Sequence, residues 1–143
     1  MTTMTMTSAG TSPPLSAVRP AGLREGIDAL YATGHWLYSR ERYRDATAVF
    51  RAMLACAPTD ERGWLALGAA HERLNQDEIA LELYTAGWLV AGPAPRCALA
   101  RARLLRALGR DEEATLALDD AEIAAVAAHD DEMATSIAAE RVP

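Results

Sequence analysis

The residues of this sequence whose types and spacing indicate a function are aromatic side chains at helical spacing and arginines. The function that they indicate is binding. Tyr31, His35 and Tyr38 are four and three residues apart, which places them on one face of a helix. Tyr43 follows at a turn and can reach the same side. Such a face can form pockets for apolar groups, and arginines can pair with carboxylates of a bound chain. Ordinary packing of the tyrosines under the N-terminal segment is the alternative interpretation.

The residue types that catalyse reactions do not come together in this sequence. The three histidines, His35, His71 and His129, lie far apart and make no metal-ligand spacing with the two cysteines. His71-Glu72 lacks the second histidine of the zinc-protease motif. No phosphate-binding glycine loop or nucleophile elbow is present. We therefore predict that the protein is not an enzyme and uses no cofactor or metal.

A period of 34 residues organises the chain from about Leu23 onward. Three sets of residues recur in phase along it: Gly34, Gly68 and Ala102; Ala46, Ala80 and Ala114; Phe50, Tyr84 and Leu118. The period and the residue types are those of the tetratricopeptide repeat, a pair of antiparallel helices A and B. The small residues would let helix A approach helix B, and the large residues would fill the space between repeats.

The register predicts an all-α solenoid of three tetratricopeptide repeats with a C-terminal capping helix. The domain covers residues 21–143. Its repeats span about 27–60, 61–94 and 95–128, and the predicted helices span about 22–39, 43–56, 60–74, 77–90, 95–108, 111–127 and 131–141. Glu41 stands where the later repeats have Asn75 and Gly109, which predicts a looser first turn. Residues 1–20 contain three prolines and are predicted to be a disordered or partly ordered tail.

In a stack of such pairs the A helices line a concave groove, which suits an extended peptide or a helix from a partner. The predicted groove is aromatic at one end and basic at the other. Its residues are Tyr31, His35, Tyr38 and Tyr43 from the first repeat, Leu65, Ala69 and Glu72 from the second, and Arg96, Leu99, Arg103 and Arg106 from the third. For any single arginine, a solvated helix face near the acidic run 111–113 is the alternative.

Composition and charge argue against several classes of partner. The chain has 14 Lys+Arg against 20 Asp+Glu, a formal net charge of −6, so it lacks the basic excess that binds nucleic acid through phosphates. No apolar run approaches the ~18 residues of a membrane span, so direct membrane insertion is not predicted. Residues 1–12 have neither the basic region nor the apolar stretch of a signal peptide, which predicts the cytoplasm.

One set of residues, in order along the chain, resembles a known family. It consists of Leu30-Tyr31, Tyr38, Tyr43-Arg44-Asp45-Ala46, Val49-Phe50, Trp64-Leu65-Ala66-Leu67-Gly68-Ala69, Ala80, Tyr84, Gly87, Pro95-Arg96 and Leu104-Leu105. The set resembles the class II chaperones of type III secretion systems, the SycD/LcrH type, from about Leu30 to Ala124. The tyrosine trio, the Leu-Gly-Ala run and the Pro-Arg start of the third repeat make the resemblance specific.

The resemblance implies a virulence-associated chaperone of the bacterial cytoplasm that holds a hydrophobic translocator protein before secretion. Such chaperones grip a short extended client segment in the concave groove, with apolar client residues in pockets at the positions of Tyr31, Tyr38 and Tyr43. The implied partner is a secreted, membrane-inserting protein, and the resemblance also allows a homodimer. A client with large exposed apolar segments would otherwise aggregate in water.

Three features depart from the family pattern. The proline-interrupted tail replaces an N-terminal helix that often serves dimerisation, and His35 stands where a bulky aromatic residue is common. Leu99 and Arg103 replace the usual aromatic and acidic residues, which suggests a client with a more acidic binding segment.

Other functions stay open at this point. A tetratricopeptide chaperone of a needle or filament subunit would share the fold but bind an amphipathic client helix. A generic tetratricopeptide adaptor, or an association with a transcriptional regulator, is also compatible with the residues.

Overall fold

The computed structural model describes residues 15–143, with side chains from Gly22 onward, and all regular structure in this range is α-helical. The helices are α1 (Leu15–Ser39), α2 (Tyr43–Cys56), α3 (Glu61–Arg73), α4 (Asp77–Val90), α5 (Pro95–Ala107), α6 (Asp111–Ala127) and α7 (Asp131–Glu140). From α2 onward every helix begins within one residue of its predicted start. None of the helices described has the length and apolar content of a membrane span.

The first helix differs from its prediction because it begins at Leu15 and not near Gly22. Pro20 lies in its second turn, where a proline removes one backbone hydrogen bond without ending the helix. Residues 1–14 of the predicted tail lie outside the described residues.

The helices stack as predicted for a curved solenoid. α1 packs on α2, α3 on α4 and α5 on α6, and each pair also contacts the next. The A helices α1, α3 and α5 contact their neighbours in order, and α7 contacts α5 as a fourth A helix would. Among residues 15–143, no Cα atom of α2, α4 or α6 lies within 8 Å of another of these three B helices. The stack therefore bends with the A helices on its inner side.

Two clusters of buried apolar side chains form the core. The first lies between α1, α2 and α3 around Phe50, and the second joins α4 to α7 around Tyr84 and Leu105. In the first two repeats a glycine of helix A faces a buried ring of helix B. A Cβ atom on Gly34 would overlap the ring of Phe50, and one on Gly68 would overlap the ring of Tyr84. The predicted close approach of helices A and B is confirmed, and the large residue fills space within its own repeat as well.

The turn after α1 is not looser than its equivalents, contrary to the prediction. Glu41 has a φ of 60° and Asn75 a φ of 58°, both in the left-handed region. At each turn this residue donates to the carbonyl three residues back, and the next residue donates to the carbonyl five back, at 2.9–3.0 Å. These two hydrogen bonds define the Schellman helix end. Both hydrogen bonds are made although Glu41 has a positive φ, a conformation that favours glycine.

Replacing Glu41 with glycine is expected to raise the free energy of unfolding by about 1 kcal/mol, because glycine adopts positive φ without steric strain. Urea denaturation measures the change. Ala48→Gly is the control, because Ala48 is exposed in the middle of α2. There glycine should lower the free energy of unfolding by about 1 kcal/mol. A Glu41→Gly variant less stable than the parent would contradict this account of the turn.

A carboxylate from the preceding repeat caps the start of α5. The residue before this helix is Ala94, whose side chain cannot cap it. Glu61 of α3 supplies the acceptor instead, because its Oε1 accepts a hydrogen bond from the Cys97 backbone N–H at 2.9 Å. Burial raises the pKa of the Glu61 carboxyl by more than this hydrogen bond lowers it. The repeats are thus joined by a partly buried acid that resists ionisation.

A Glu61→Gln variant is expected to unfold at a higher temperature than the parent at pH 7, with the gain shrinking towards pH 4. An acid whose pKa is raised in the folded state contributes stability at low pH and loses it as the pH rises through that pKa. Glutamine keeps an oxygen acceptor for Cys97 without a charge to desolvate. Thermal unfolding followed by circular dichroism measures both midpoints. Glu61→Ala removes the acceptor and should lower the midpoint at both pH values, and equal behaviour of the two variants would refute the argument.

Candidate functional site

A cavity of about 260 Å³ opens on the inner face of the stack between α1 and α3. It is lined by Tyr31, His35, Tyr38, Phe50, Arg62, Leu65, Ala66 and Ala69, and we call it the aromatic cavity. Most of these side chains are apolar or aromatic. Binding here would therefore be driven mainly by removal of apolar surface from water.

Hydrogen bonds and charge fix the walls of the aromatic cavity. The Tyr31 hydroxyl and His35 Nε2 are 2.9 Å apart, and the Arg62 guanidinium lies 4.9 Å from the centre of the Tyr31 ring. Arg62 also pairs with Asp28 of α1 at 3.0 Å and with Asp60 at 2.8 Å. The Arg62 guanidinium thus links α3 to α1 through its ion pair with Asp28 and contacts the Tyr31 ring.

Tyr38 lines the aromatic cavity, and its ring packs against the ring of Tyr43. The two rings meet edge to face with centroids 5.2 Å apart. Arg73 Nε donates a hydrogen bond to the Tyr43 hydroxyl at 3.0 Å, and its guanidinium lies over the Tyr43 ring. Burial raises the pKa of the Tyr38 phenol above its ordinary value, more than the Arg73 charge lowers it. Tyr38 is therefore an uncharged wall at neutral pH.

A second cavity of about 280 Å³ continues the groove towards the C-terminal end. It is lined by Leu65, Arg96, Leu99, Ala100, Arg103, Met133 and Ser136, and we call it the arginine cavity. Leu65 belongs to both cavities, so they form one continuous groove across α1, α3 and α5. Met133 and Ser136 show that α7 also forms part of its wall.

The arginines at this end are paired with α7 and the turn before it. Arg103 approaches the Glu140 carboxylate at 2.7 Å and Arg106 approaches it at 3.1 Å. Arg106 also donates to the Glu140 backbone carbonyl at 3.1 Å. Arg96 pairs with Asp130 at 3.2 Å. A bound carboxylate would have to compete with these acids of the chain itself.

The structure brings most of the predicted groove residues together. Tyr31, His35, Tyr38, Leu65 and Ala69 line the aromatic cavity, and Leu65, Arg96, Leu99 and Arg103 line the arginine cavity. Tyr43, Glu72 and Arg106 line neither cavity. Glu72 accepts a hydrogen bond from the buried Tyr84 hydroxyl, so it has a partner within its own repeat. Leu99 is only 4% exposed and contributes mainly to the core.

Sequence reasoning missed six of the residues that line the two cavities: Phe50, Arg62, Ala66, Ala100, Met133 and Ser136. Arg62 lies 34 residues before the predicted groove residue Arg96, so the repeat register itself could have found it. Phe50 was assigned to packing, and it is fully buried, although it also lies behind the surface of the aromatic cavity. Nothing in the repeat pattern indicates Met133, because α7 follows the last repeat.

Solved structures of type III secretion chaperones share this fold. The type III secretion translocator chaperone SycD of Yersinia enterocolitica has a TM-score of 0.72, is 25% identical, and the match covers 82% of this chain and 88% of SycD. PcrH in complex with the chaperone binding region of PopB has a TM-score of 0.68 and 30% identity, covering 80% of this chain and 94% of that one. The chain belongs to the class II type III secretion chaperones.

Further comparisons agree with this family. PcrH from Pseudomonas aeruginosa, solved by itself, is also 30% identical over 80% of this chain and 88% of its own. No protein-family model and no curated protein sequence matches the chain. The resemblance to class II chaperones and the tetratricopeptide solenoid are thus confirmed. Because its structural relatives are chaperones and not enzymes, the prediction of a non-catalytic protein is confirmed as well.

Proposed function

We propose that this class II chaperone binds a hydrophobic translocator protein in the bacterial cytoplasm and keeps it soluble and competent for secretion. The observation that carries the proposal is the continuous inner groove, with its aromatic cavity between α1 and α3. PcrH, at 28–30% identity, has been solved with the chaperone binding regions of PopB and PopD. In this proposal a segment of the client lies along the inner face of the stack of this chain.

The shape of the groove suits an extended segment with apolar anchors. An extended strand points alternate side chains to the same side, so two such side chains could enter the two cavities that share Leu65. Apolar groups held between Tyr31 and Tyr38 would lose most of their contact with water. Tyr31, His35, Tyr38, Leu65 and Ala69 are therefore the proposed anchor site, with Arg96 and Arg103 beside it.

The arginine end is proposed to receive an acidic residue of the client. Arg103 is paired with Glu140 but remains more than half exposed, so an incoming carboxylate can reach it. Reversal to Arg103→Glu is expected to weaken client binding roughly tenfold, because attraction becomes repulsion at the same place. Isothermal titration calorimetry measures the change. Glu140→Gln serves as the control, since it disrupts the same pair without opposing an acidic client. Unchanged affinity of Arg103→Glu would refute an acidic contact.

Co-expression with a translocator of the same secretion system tests the proposed function. A large protein with membrane-inserting segments, insoluble when expressed alone, is expected to appear in the soluble fraction as a complex with this chain. Capture of a small helical needle or filament subunit in preference to the translocator would overturn the proposal. An insoluble translocator in the presence of abundant folded chaperone would also overturn it.

A further inference from the structure

The outer side of the stack carries a second groove, between α4 and α6. Clefts of about 360 Å³ and about 310 Å³ lie end to end along it. The Arg101 guanidinium lines the first cleft and lies over the ring of Trp88, which lines the second, 5.5 Å from the ring centre. Arg101 Nη1 is buried and 3.6 Å from Asp120 Oδ2, which is too long for a hydrogen bond. The floor of this outer groove thus holds a polar group without a hydrogen-bond partner in the structure.

One end of the outer groove is apolar and exposed. Ile123 of α6 is about two thirds exposed, and Trp88 and Pro93 line the cleft beside it. Leu89 of α4 is equally exposed and lines the neighbouring cleft. Leu116, also about two thirds exposed, lies seven residues before Ile123 on the same side of α6 but lines neither cleft. Single exposed aliphatic residues are ordinary on a protein surface, but a contiguous apolar surface lining a groove indicates a contact with another molecule.

The opposite end of the outer groove is acidic. Glu78 and Glu82 of α4 line it together with Glu113 of α6, and they outnumber the two arginines of the same cleft, Arg101 and Arg110. α4 and α6 together carry nine acidic residues and no basic residue. Arg110 bridges Glu78 at 3.3 Å and Glu113 at 2.8 Å, whereas Glu82 has no ion-pair partner among the side chains of residues 22–143. A partner that fits both ends needs apolar side chains in one half and basic side chains in the other.

We propose that the outer groove docks a cationic amphipathic helix of a partner protein, separately from the client in the inner groove. Its apolar residues would cover Leu89 and Ile123, and its lysines or arginines would pair with Glu82 and the neighbouring acids. A helix is the expected shape because the groove lies between two roughly side-by-side helices, where the side chains of a third helix pack between theirs. Charge complementarity selects this occupant over a purely apolar or acidic one.

A synthetic peptide of about 18 residues tests the proposal, with leucines on one face of its first half and lysines in its second half. It is titrated into the ¹⁵N-labelled full chain, and shifted amide signals identify its site. Shifts concentrated in residues 77–92 and 111–128 are expected. A matched peptide with glutamate in place of lysine should bind at least about tenfold more weakly. Shifts confined to the inner face, or equal binding of both peptides, would overturn the proposal.

Two variants on one helix give a matched control. Ile123 is 69% exposed inside the groove, whereas Val126 is 66% exposed on the other flank of α6. Ile123→Glu is expected to weaken binding of the lysine peptide at least about tenfold, and Val126→Glu less than about twofold. Equal effects would refute the groove as the site. If sedimentation shows that the free chain dimerises and that Ile123→Glu abolishes the dimer, a second copy covers the groove and the proposal fails.

Discussion

Replacing Gly34 with alanine is expected to lower the free energy of unfolding by about 2 kcal/mol, although alanine is the better helix former. The added Cβ atom would overlap three atoms of the Phe50 ring, which is fully buried between α1, α2 and α3. Overpacking of a closed core costs about 1–3 kcal/mol, and this overlap belongs at the upper end. The helix-propensity gain of about 1 kcal/mol offsets only part of it.

Gly26 provides the matched control on the same helix. A Cβ atom there has no other heavy atom within 4 Å, so Gly26→Ala should stabilise the protein by up to about 1 kcal/mol. Urea denaturation should show a lower free energy of unfolding for Gly34→Ala than for the parent, and a higher one for Gly26→Ala. The third repeat has alanine and leucine at the equivalent positions, Ala102 and Leu118, both buried. Gly34→Ala combined with Phe50→Leu should therefore be more stable than Gly34→Ala alone. A Gly34→Ala variant as stable as Gly26→Ala would contradict the close approach.

Loss of both tyrosines of the aromatic cavity is expected to weaken binding of a translocator at least about thirtyfold. Tyr31 and Tyr38 form walls of the cavity, and truncation of one aromatic anchor in a desolvated pocket commonly costs about 2 kcal/mol. The double variant Tyr31→Ala/Tyr38→Ala should keep its helical circular dichroism, because both side chains are only partly buried. Calorimetric titration with the purified client segment measures the affinity.

Trp36 is the control for this pair. It lies on the opposite face of α1, is 53% exposed, and contacts the Arg40 guanidinium outside the groove. Trp36→Ala should leave client affinity within about twofold while removing a side chain at least as large. If the double tyrosine variant and Trp36→Ala bind the client equally well, the aromatic cavity is not the anchor site.

The repeat register predicted the helix bounds well because local signals mark most helix ends. Asp60 caps α3 by accepting from the Arg62 backbone N–H at 3.1 Å, and Pro95 occupies the first turn of α5. Gly109 ends α5 with a positive φ of 75°. Each of these residues acts on its immediate neighbours, so the sequence alone shows its effect.

Features that depend on distant contacts escaped prediction. Glu61 caps a helix that begins 34 residues later, and Ala94 at that helix start offers no signal of it. The pairing of Arg103 with Glu140 requires knowing where α7 docks. The placement of Tyr31 and Leu65 on the inner face could be predicted from the sequence. They occupy the same position of the 34-residue repeat, and each repeat presents that position inward. Their role in binding a client remains a prediction.

Site-specific photo-crosslinking from position 65 tests the central claim most directly. Leu65 is shared by the two cavities of the inner groove, and a photoreactive phenylalanine analogue there would touch any chain lying along it. The same analogue at Val126, on the outer side, gives the comparison. With a co-expressed translocator, we expect a covalent adduct from position 65 and none from position 126. Adducts from position 126 alone would contradict the account.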